Sequence, residues 1–316
     1  MKFCVVGEGA FGKMHLETLA NIDGAEALWL VGGDANATKK VAKRFNIPNW
    51  NCDLDVALLS NEVEAVILAT PTPIHAIQAK QVMLAGKHVL VEIPMADSLE
   101  DAKELVRLQK ETGVIAMVGH LRRFNLSHQW IHNKIIQGDL TIQQLHAQTY
   151  FFRRDNINAL GEPRRWTDHL LWHHACHTVD LFEYQSGQQV DQCFALHGPK
   201  HPELKIAMDM VVGMKVPNGA ICTLSLSFNN DGPLGTVFRY ICDKGTYIAK
   251  NDELFDANEN RVDLSGLSGS NSGLESVLRA FIQAISTGKE PNASFNQCLS
   301  AMQTLDRIET MLEHTL

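Results

Sequence analysis

Short apolar runs recur through the first part of the chain, each followed by a segment with helical spacing. The runs are Lys2–Gly7 (KFCVVG), Ala25–Val31, Ala65–Ala69 (AVILA), His88–Glu92 (HVLVE) and Val114–Val118. Phe11, Met14 and Leu19 mark the first helical segment. Ala76–Ala85 forms another, ended by Gly86. A third runs through Glu111 with Asp97 or Ser98 as its cap. Strand and helix alternate consistently from Lys2 to Gly119. This predicts a Rossmann domain over residues 1–119, a doubly wound parallel sheet in an α/β chain.

From residue 120 to 316 the pattern changes to a C-terminal α+β domain. Phe124–Gly138 reads as a helix, Thr141–Phe152 as a strand and Trp166–Tyr184 as an amphipathic helix. Strands follow at Val190–His197, Met208–Val216, Ala220–Phe228, Thr236–Asp243 and Thr246–Lys250. Tight turns at Pro217-Asn218-Gly219 and Lys244-Gly245 make the sheet mostly antiparallel and open. In Ala220–Phe228, Cys222, Leu224, Leu226 and Phe228 alternate with Thr223, Ser225 and Ser227. One face is therefore expected under helices. The other is solvated or pairs with its copy in a homodimer or homotetramer. Leu254–Gly273 reads as an exposed excursion, and Leu274–Ser286 and Ser294–His314 as closing helices that can pack back on the first domain.

Composition adds exclusions. The 316 residues are 45% hydrophobic and 20% charged, as in soluble two-domain proteins. A net charge of −8 without a basic run argues against nucleic acid as a partner. No stretch is long enough to cross a bilayer. The seven cysteines form no C-x-x-C pair, and the N-terminus enters a strand directly, so a cytoplasmic protein with reduced thiols is expected.

The first run ends in Gly7-Glu8-Gly9-Ala10-Phe11-Gly12. Strand, G-x-G-x-x-G and helix together predict a dinucleotide site. Gly7 permits the turn, Gly9 lets backbone approach a pyrophosphate, and Gly12 lets helix and strand pack closely. At the end of the second strand an acid would bind the ribose of NAD. Gly32, Gly33 and Asp34 stand there. Asp34 fits by spacing, but by register the acid belongs nearer Gly32 and is missing. The expected cofactor is NADP, with NAD as the alternative. The third and fourth strands run into Thr70-Pro71-Thr72-Pro73 and Glu92-Ile93-Pro94, stiff turns at the sheet edge where ligands bind.

The strand–GEGAFG–helix opening, the ATPTPIH turn, the AGKHVLVEIP segment and a later helical His/Asp segment resemble the glucose–fructose oxidoreductase / inositol dehydrogenase (Gfo/Idh/MocA) family. That resemblance covers essentially the whole chain. It implies a nicotinamide cofactor against Gly7, Gly9, Ala10, Phe11, Gly12, Gly33, Asp34, Thr70, Pro71, Thr72, His75, Glu92, Ile93 and Trp166. It also implies oxidation or reduction of an alcohol, mostly on sugars and cyclitols, and favours an oligomer. The chain departs from the family twice. Ile93 stands where the family has a lysine that assists proton transfer, and His173 stands where the family has an aspartate four residues before His177.

Two groups of residues carry the expected chemistry of the second domain. Arg122-Arg123, Arg153-Arg154 and Arg164-Arg165 are three pairs near element ends in an acidic protein. Guanidinium forks bind carboxylates, so Arg122, Arg123, Arg153 and Arg165 are expected to hold a small anionic substrate, with plain surface arginines as the alternative, and Asn229 either reaches that substrate or sits in a plain loop. His169, His173 and His177 recur every four residues, with Asp180 one turn on. Three readings compete: a stripe of core or surface histidines, a metal site, and acid–base catalysis. No further ligand motif completes a metal site, so none is expected. For catalysis, His173 or His177 accepts the proton as the substrate carbon is oxidised, and Asp180 orients His177. The competing functions are a dehydrogenase of an anionic substrate, one of a neutral sugar or cyclitol, and a nucleotide sensor without turnover.

Overall fold

The computed structural model describes residues 1–157, 161, 163, 167, 168, 170–267 and 273–314. Arg164, Arg165, Trp166 and His169 lie outside the described residues. Two compact units are present. The first takes Met1–His120 and Leu274–Leu299. The second takes Leu121–Ile157 and the described parts of Pro163–Gly273 and Ser300–Leu316.

In the first unit β1 (Lys2–Val6), α1 (Ala10–Leu19), β2 (Glu26–Val31), α2 (Ala35–Arg44), β3 (Asn49–Asn51), α3 (Leu54–Leu58), β4 (Ala65–Leu68), α4 (His75–Leu84), β5 (His88–Val91), α5 (Leu99–Thr112) and β6 (Ala116–Val118) alternate. The sheet order is β3-β2-β1-β4-β5-β6, with every pair parallel. The strand order reverses beside β1, which puts a ligand crevice at the carboxyl ends of β1 and β4. Every residue of β4 is buried, as expected for a strand covered on both faces. Ser98 caps α5, its Oγ accepting from Asp101 N at 3.1 Å, and Gly113 ends the helix in the left-handed region. A segment from the far end of the sequence completes this core. Phe281 of α8 (Gly273–Thr287) has its ring centroid 6.5 Å from that of Phe3.

The second unit contains α6 (Leu126–Ile136), β7 (Ile142–Tyr150), α7 (Cys176–Ser186), β8 (Gln192–His197), β9 (Asp209–Lys215), β10 (Ile221–Ser227), β11 (Gly235–Cys242), β12 (Gly245–Lys250) and β13 (Glu253–Phe255). The sheet order is β13-β12-β11-β7-β10-β9-β8. Among the described residues only the β7–β10 pair of this sheet is parallel. The strand β13 and its pairing to β12 lie at the start of the stretch expected to be an excursion.

One helix differs from its expectation. The segment read as a single α-helix from Trp166 opens, in its described part, as a π-helix over Leu170–Ala175 and becomes α-helical only at Cys176. Bonding from i to i+5 adds a residue to the turn. The every-four spacing of His173 and His177 therefore does not put them on one α-helical face.

Candidate active site

The glycine turn has the geometry its sequence implies. Gly7 has φ of 120°, and a Cβ there would lie 2.4 Å from the Ala69 carbonyl oxygen. A Cβ on Gly12 would lie 1.8 Å from the Gly7 carbonyl oxygen, so the start of α1 rests directly on the turn. A Cβ on Gly9 would meet nothing within 4 Å. Gly12 is thus required by packing, whereas Gly9 borders open space. Gly9 is also the N-cap of α1 and gives it no side-chain cap, and the first turn carries no acid. The unpaired N–H groups and positive end of the helix suit a pyrophosphate.

Two carboxylates meet at the end of β2. Asp34 caps α2, its Oδ1 accepting from Ala37 N at 2.8 Å. Glu8, from inside the glycine turn, brings a second carboxylate beside Gly32. Gly33 N donates to both Glu8 carboxylate oxygens, and Asp34 N to Oε1, each at 3.0 Å. Glu8 was legible only as a variable position of the motif, because its placement depends on the β1–β2 pairing.

The two proline turns are tied together by His75. Its Nδ1 lies 2.8 Å from the Pro94 carbonyl oxygen and its Nε2 2.7 Å from that of Thr70. Burial lowers the His75 pKa, against the two carbonyls and the charges of Glu92 and Asp97. A neutral ring donates to one of the two carbonyls only. His75 is thus a brace between the turns rather than an exposed contact. Glu92 is also engaged inside the unit, with Oε1 2.7 Å from His15 Nε2. Ile93 is buried. Thr70 Oγ1 donates to Gln78 Oε1 at 2.7 Å. Thr72 Oγ1 is buried without a hydrogen-bond partner among the described residues. That orphaned hydroxyl, the bare Cα of Gly9 and the open helix end fit a dinucleotide.

The chemistry of the second unit centres on Asp168. Its Oδ2 lies 3.1 Å from His174 Nε2 and 3.9 Å from His173 Nε2, while Arg153 Nη1 donates to Oδ1. The π-helix allows consecutive histidines to reach one carboxylate. Burial pushes the Asp168 carboxyl up. The hydrogen bond from His174 and the charges of His173, His174 and Arg153 outweigh burial and hold it well below the usual carboxylate range. Asp168, His173 and His174 also converge closely enough to hold a metal ion. The guanidinium on Asp168 makes this a poor cation site. Sequence reasoning did not single out the Asp168–His174 contact, since the every-four spacing drew attention to His169, His173 and His177.

The arginines divide sharply. Arg123 donates to both oxygens of Asp180, Nε to Oδ2 at 2.8 Å and Nη2 to Oδ1 at 2.6 Å. Both groups are buried. Asp180 carries this ion pair, and His177, three residues before it, stands half-buried in α7. Arg153 is held by Asp168 and by Asn156 Oδ1 at 2.9 Å. Arg154 donates to the carbonyls of Arg153 and Phe228 and to Asn229 Oδ1. Asn229 in turn donates to Asp209. Arg122 differs. Its guanidinium lies over the Phe238 ring, 5.5 Å from the centroid, and makes no hydrogen bond among the described residues. Burial lowers its pKa, against the pull of Asp252 and Tyr240.

Residues 1–120 match the family profile described as "Oxidoreductase family, NAD-binding Rossmann fold", and residues 126–268 the one described as "Bacterial oxidoreductases, C-terminal". Over 313 residues the chain is 55% identical to a 4-carboxy-2-hydroxymuconate-6-semialdehyde dehydrogenase of Sphingobium sp., covering 99% of each chain. The protein belongs to the Gfo/Idh/MocA family. This Gfo/Idh/MocA chain is accordingly an oxidoreductase with a nicotinamide-dinucleotide fold. Solved structures agree in fold. UDP-N-acetylglucosamine 3-dehydrogenase from Acidithiobacillus ferrooxidans superposes with a TM-score of 0.84 at 21% identity, covering 99% of this chain and 98% of its own. Levoglucosan dehydrogenase in complex with NADH gives 0.87 at 18%, covering 99% and 97%.

Proposed function

We propose that this chain oxidises the cyclic hemiacetal of 4-carboxy-2-hydroxymuconate-6-semialdehyde to the lactone 2-pyrone-4,6-dicarboxylate. Full-length identity of 55% to a dehydrogenase named for that substrate supports the reading. The observation that carries it is the imidazole pair on the buried Asp168 carboxylate. The hemiacetal carbon loses its hydrogen with two electrons, and its hydroxyl loses a proton. When bound, the nicotinamide supplies the two-electron acceptor.

His173, the more exposed of the two rings beside Asp168, accepts the hydroxyl proton. Asp168 stabilises the imidazolium that forms, and His174 and Arg153 hold Asp168 in place. Ile93 leaves this task to histidine, because an alkyl side chain moves no proton. Arg122 binds a substrate carboxylate. A half-buried guanidinium without a hydrogen-bonded counter-ion gains more from an anion than from a neutral sugar. Asn229 and Arg153 shape the site through their neighbours.

Purified protein is mixed with NAD or NADP and with the hemiacetal, inositol or simple sugars, and formation of reduced nicotinamide is followed by absorbance. Turnover on the dicarboxylate alone is expected. Turnover confined to neutral polyols, or none with any substrate, refutes the proposal.

The outer face of the second sheet supports a homo-oligomer. Phe194 and Leu196 are 60% and 56% exposed there, beside exposed Val211 and Ile221. Phe194 lies flat across Gly213, where a Cβ would come within 2.0 Å of its ring. Such a face suits an isologous contact with a second copy. All seven cysteines are free thiols, consistent with a reducing cytoplasm.

A further inference from the structure

We infer that Glu8 sets the cofactor preference of this enzyme, selecting NAD over NADP. The inference rests on the reading of the first unit as a nicotinamide-dinucleotide site. In this fold the end of β2 meets the adenosine ribose. A carboxylate there accepts hydrogen bonds from ribose hydroxyls and repels a 2′-phosphate.

Three observations put Glu8 in that role. Its carboxylate is fixed by the Gly33 and Asp34 N–H groups at 3.0 Å, at the carboxyl end of β2. Those N–H groups are also the donors that a phosphate would need there, so the dianion must displace Glu8 as well as approach it. Gly32 makes the placement possible, since a Cβ on it would lie 2.7 Å from Glu8 Oε2 and 2.0 Å from Thr38 Oγ1.

The nearest cations in sequence, Lys39 and Lys40, stand exposed on α2 beyond Thr38. Gly32-Gly33-Asp34-Ala35-Asn36-Ala37 contains no lysine or arginine. Asp34 adds a second negative charge beside the site. Arg44, at the far end of α2, reaches back to Glu17 instead. The carboxylate keeps acceptor capacity for a ribose hydroxyl, because three N–H contacts fall on about four lone-pair sites.

The test measures binding of NADH and NADPH to the full-length protein by calorimetry, without substrate, for the wild type, Glu8→Gln and Glu8→Ala. Wild type is expected to bind NADH more tightly than NADPH by about tenfold or more. Both variants should lose most of that ratio, with NADPH gaining and NADH weakening. The Glu8 assignment is overturned by a wild type that binds NADPH as tightly as NADH. It is also overturned by variants that keep the wild-type ratio. A wild type that binds neither dinucleotide overturns the cofactor reading itself, and this inference with it. Two variants, one of them the near-isosteric Glu8→Gln, keep the Glu8 role testable, and a wild type without the NADH preference overturns it whether or not either variant folds.

Discussion

His174 Nε2 sits 3.1 Å from Asp168 Oδ2, and His173 Nε2 reaches the same oxygen at 3.9 Å. Two adjacent histidines share one carboxylate because the backbone between them and α7 is a π-helix. π-helical turns are rare and recur at functional sites. Under the proposed mechanism, His173→Ala lowers kcat by about 10²- to 10⁴-fold and leaves dinucleotide affinity unchanged. Steady-state kinetics beside dinucleotide titration checks this. A loss of turnover in His177→Ala with His173→Ala unaffected would move the base one turn along.

Gly9 and Gly12 should respond differently to the same substitution. Gly12→Ala drives a Cβ into the Gly7 carbonyl and should destabilise the fold by about 1–3 kcal/mol, read by chemical denaturation. Gly9→Ala meets no protein atom, so stability should hold while NADH affinity falls. Equal loss of stability in both would contradict the open space beside Gly9.

The buried Arg123–Asp180 pair is expected to act in stability. Removing one partner strands a buried charge, so Arg123→Ala should cost roughly 3–5 kcal/mol. Arg122→Ala should instead raise KM for the dicarboxylate with a smaller effect on stability. Denaturation and kinetics on the same two variants separate the roles.

Acid should destabilise the chain in two steps. His128 is buried against Tyr240, its Nδ1 2.7 Å from the hydroxyl. Burial, and then the Arg122 charge, hold its pKa well below the usual histidine value of 6.5. His75 is lowered in the same direction by burial. A lowered folded-state value means the unfolded chain binds the extra protons. Stability is therefore complete above 6.5 and is lost as pH falls, at up to roughly 1.4 kcal/mol per pH unit for each group. Asp168 has the same sign, but its contribution fades only as pH falls below 3.8. Urea denaturation at several pH values should show the first slope in wild type and a shallower one in His128→Asn.

If the outer sheet face pairs with a second copy, Phe194→Glu with Leu196→Glu should give monomers. Single-chain stability should shift by only about 0.5 kcal/mol per site, since both side chains are exposed. Light scattering on wild type and variant decides this. A monomeric wild type would remove the proposal.

Most of the architecture was legible in the linear pattern. Apolar runs, helical spacing, Gly7 and Gly12, the proline turns and the hairpin glycines report local backbone and burial, which neighbouring residues largely fix. The parallel sheet and the antiparallel sheet followed from them. Partner choice was not legible. Arg122, Arg123, Arg153 and Arg154 look alike in sequence. Folding gives Arg123 to Asp180, 57 residues away, Arg153 to Asp168 and Arg154 to backbone carbonyls, leaving Arg122 without a hydrogen bond among the described residues. Likewise, spacing singled out Asp34 at the end of β2, whereas strand pairing also brought the Glu8 carboxylate onto the Gly33 and Asp34 N–H groups. Spacing also put His173 and His177 on one face, whereas the π-helix put His173 beside His174. Periodicity depends on bonds within a few residues. The environment of a charge depends on which distant elements come together, and only the tertiary structure decided that.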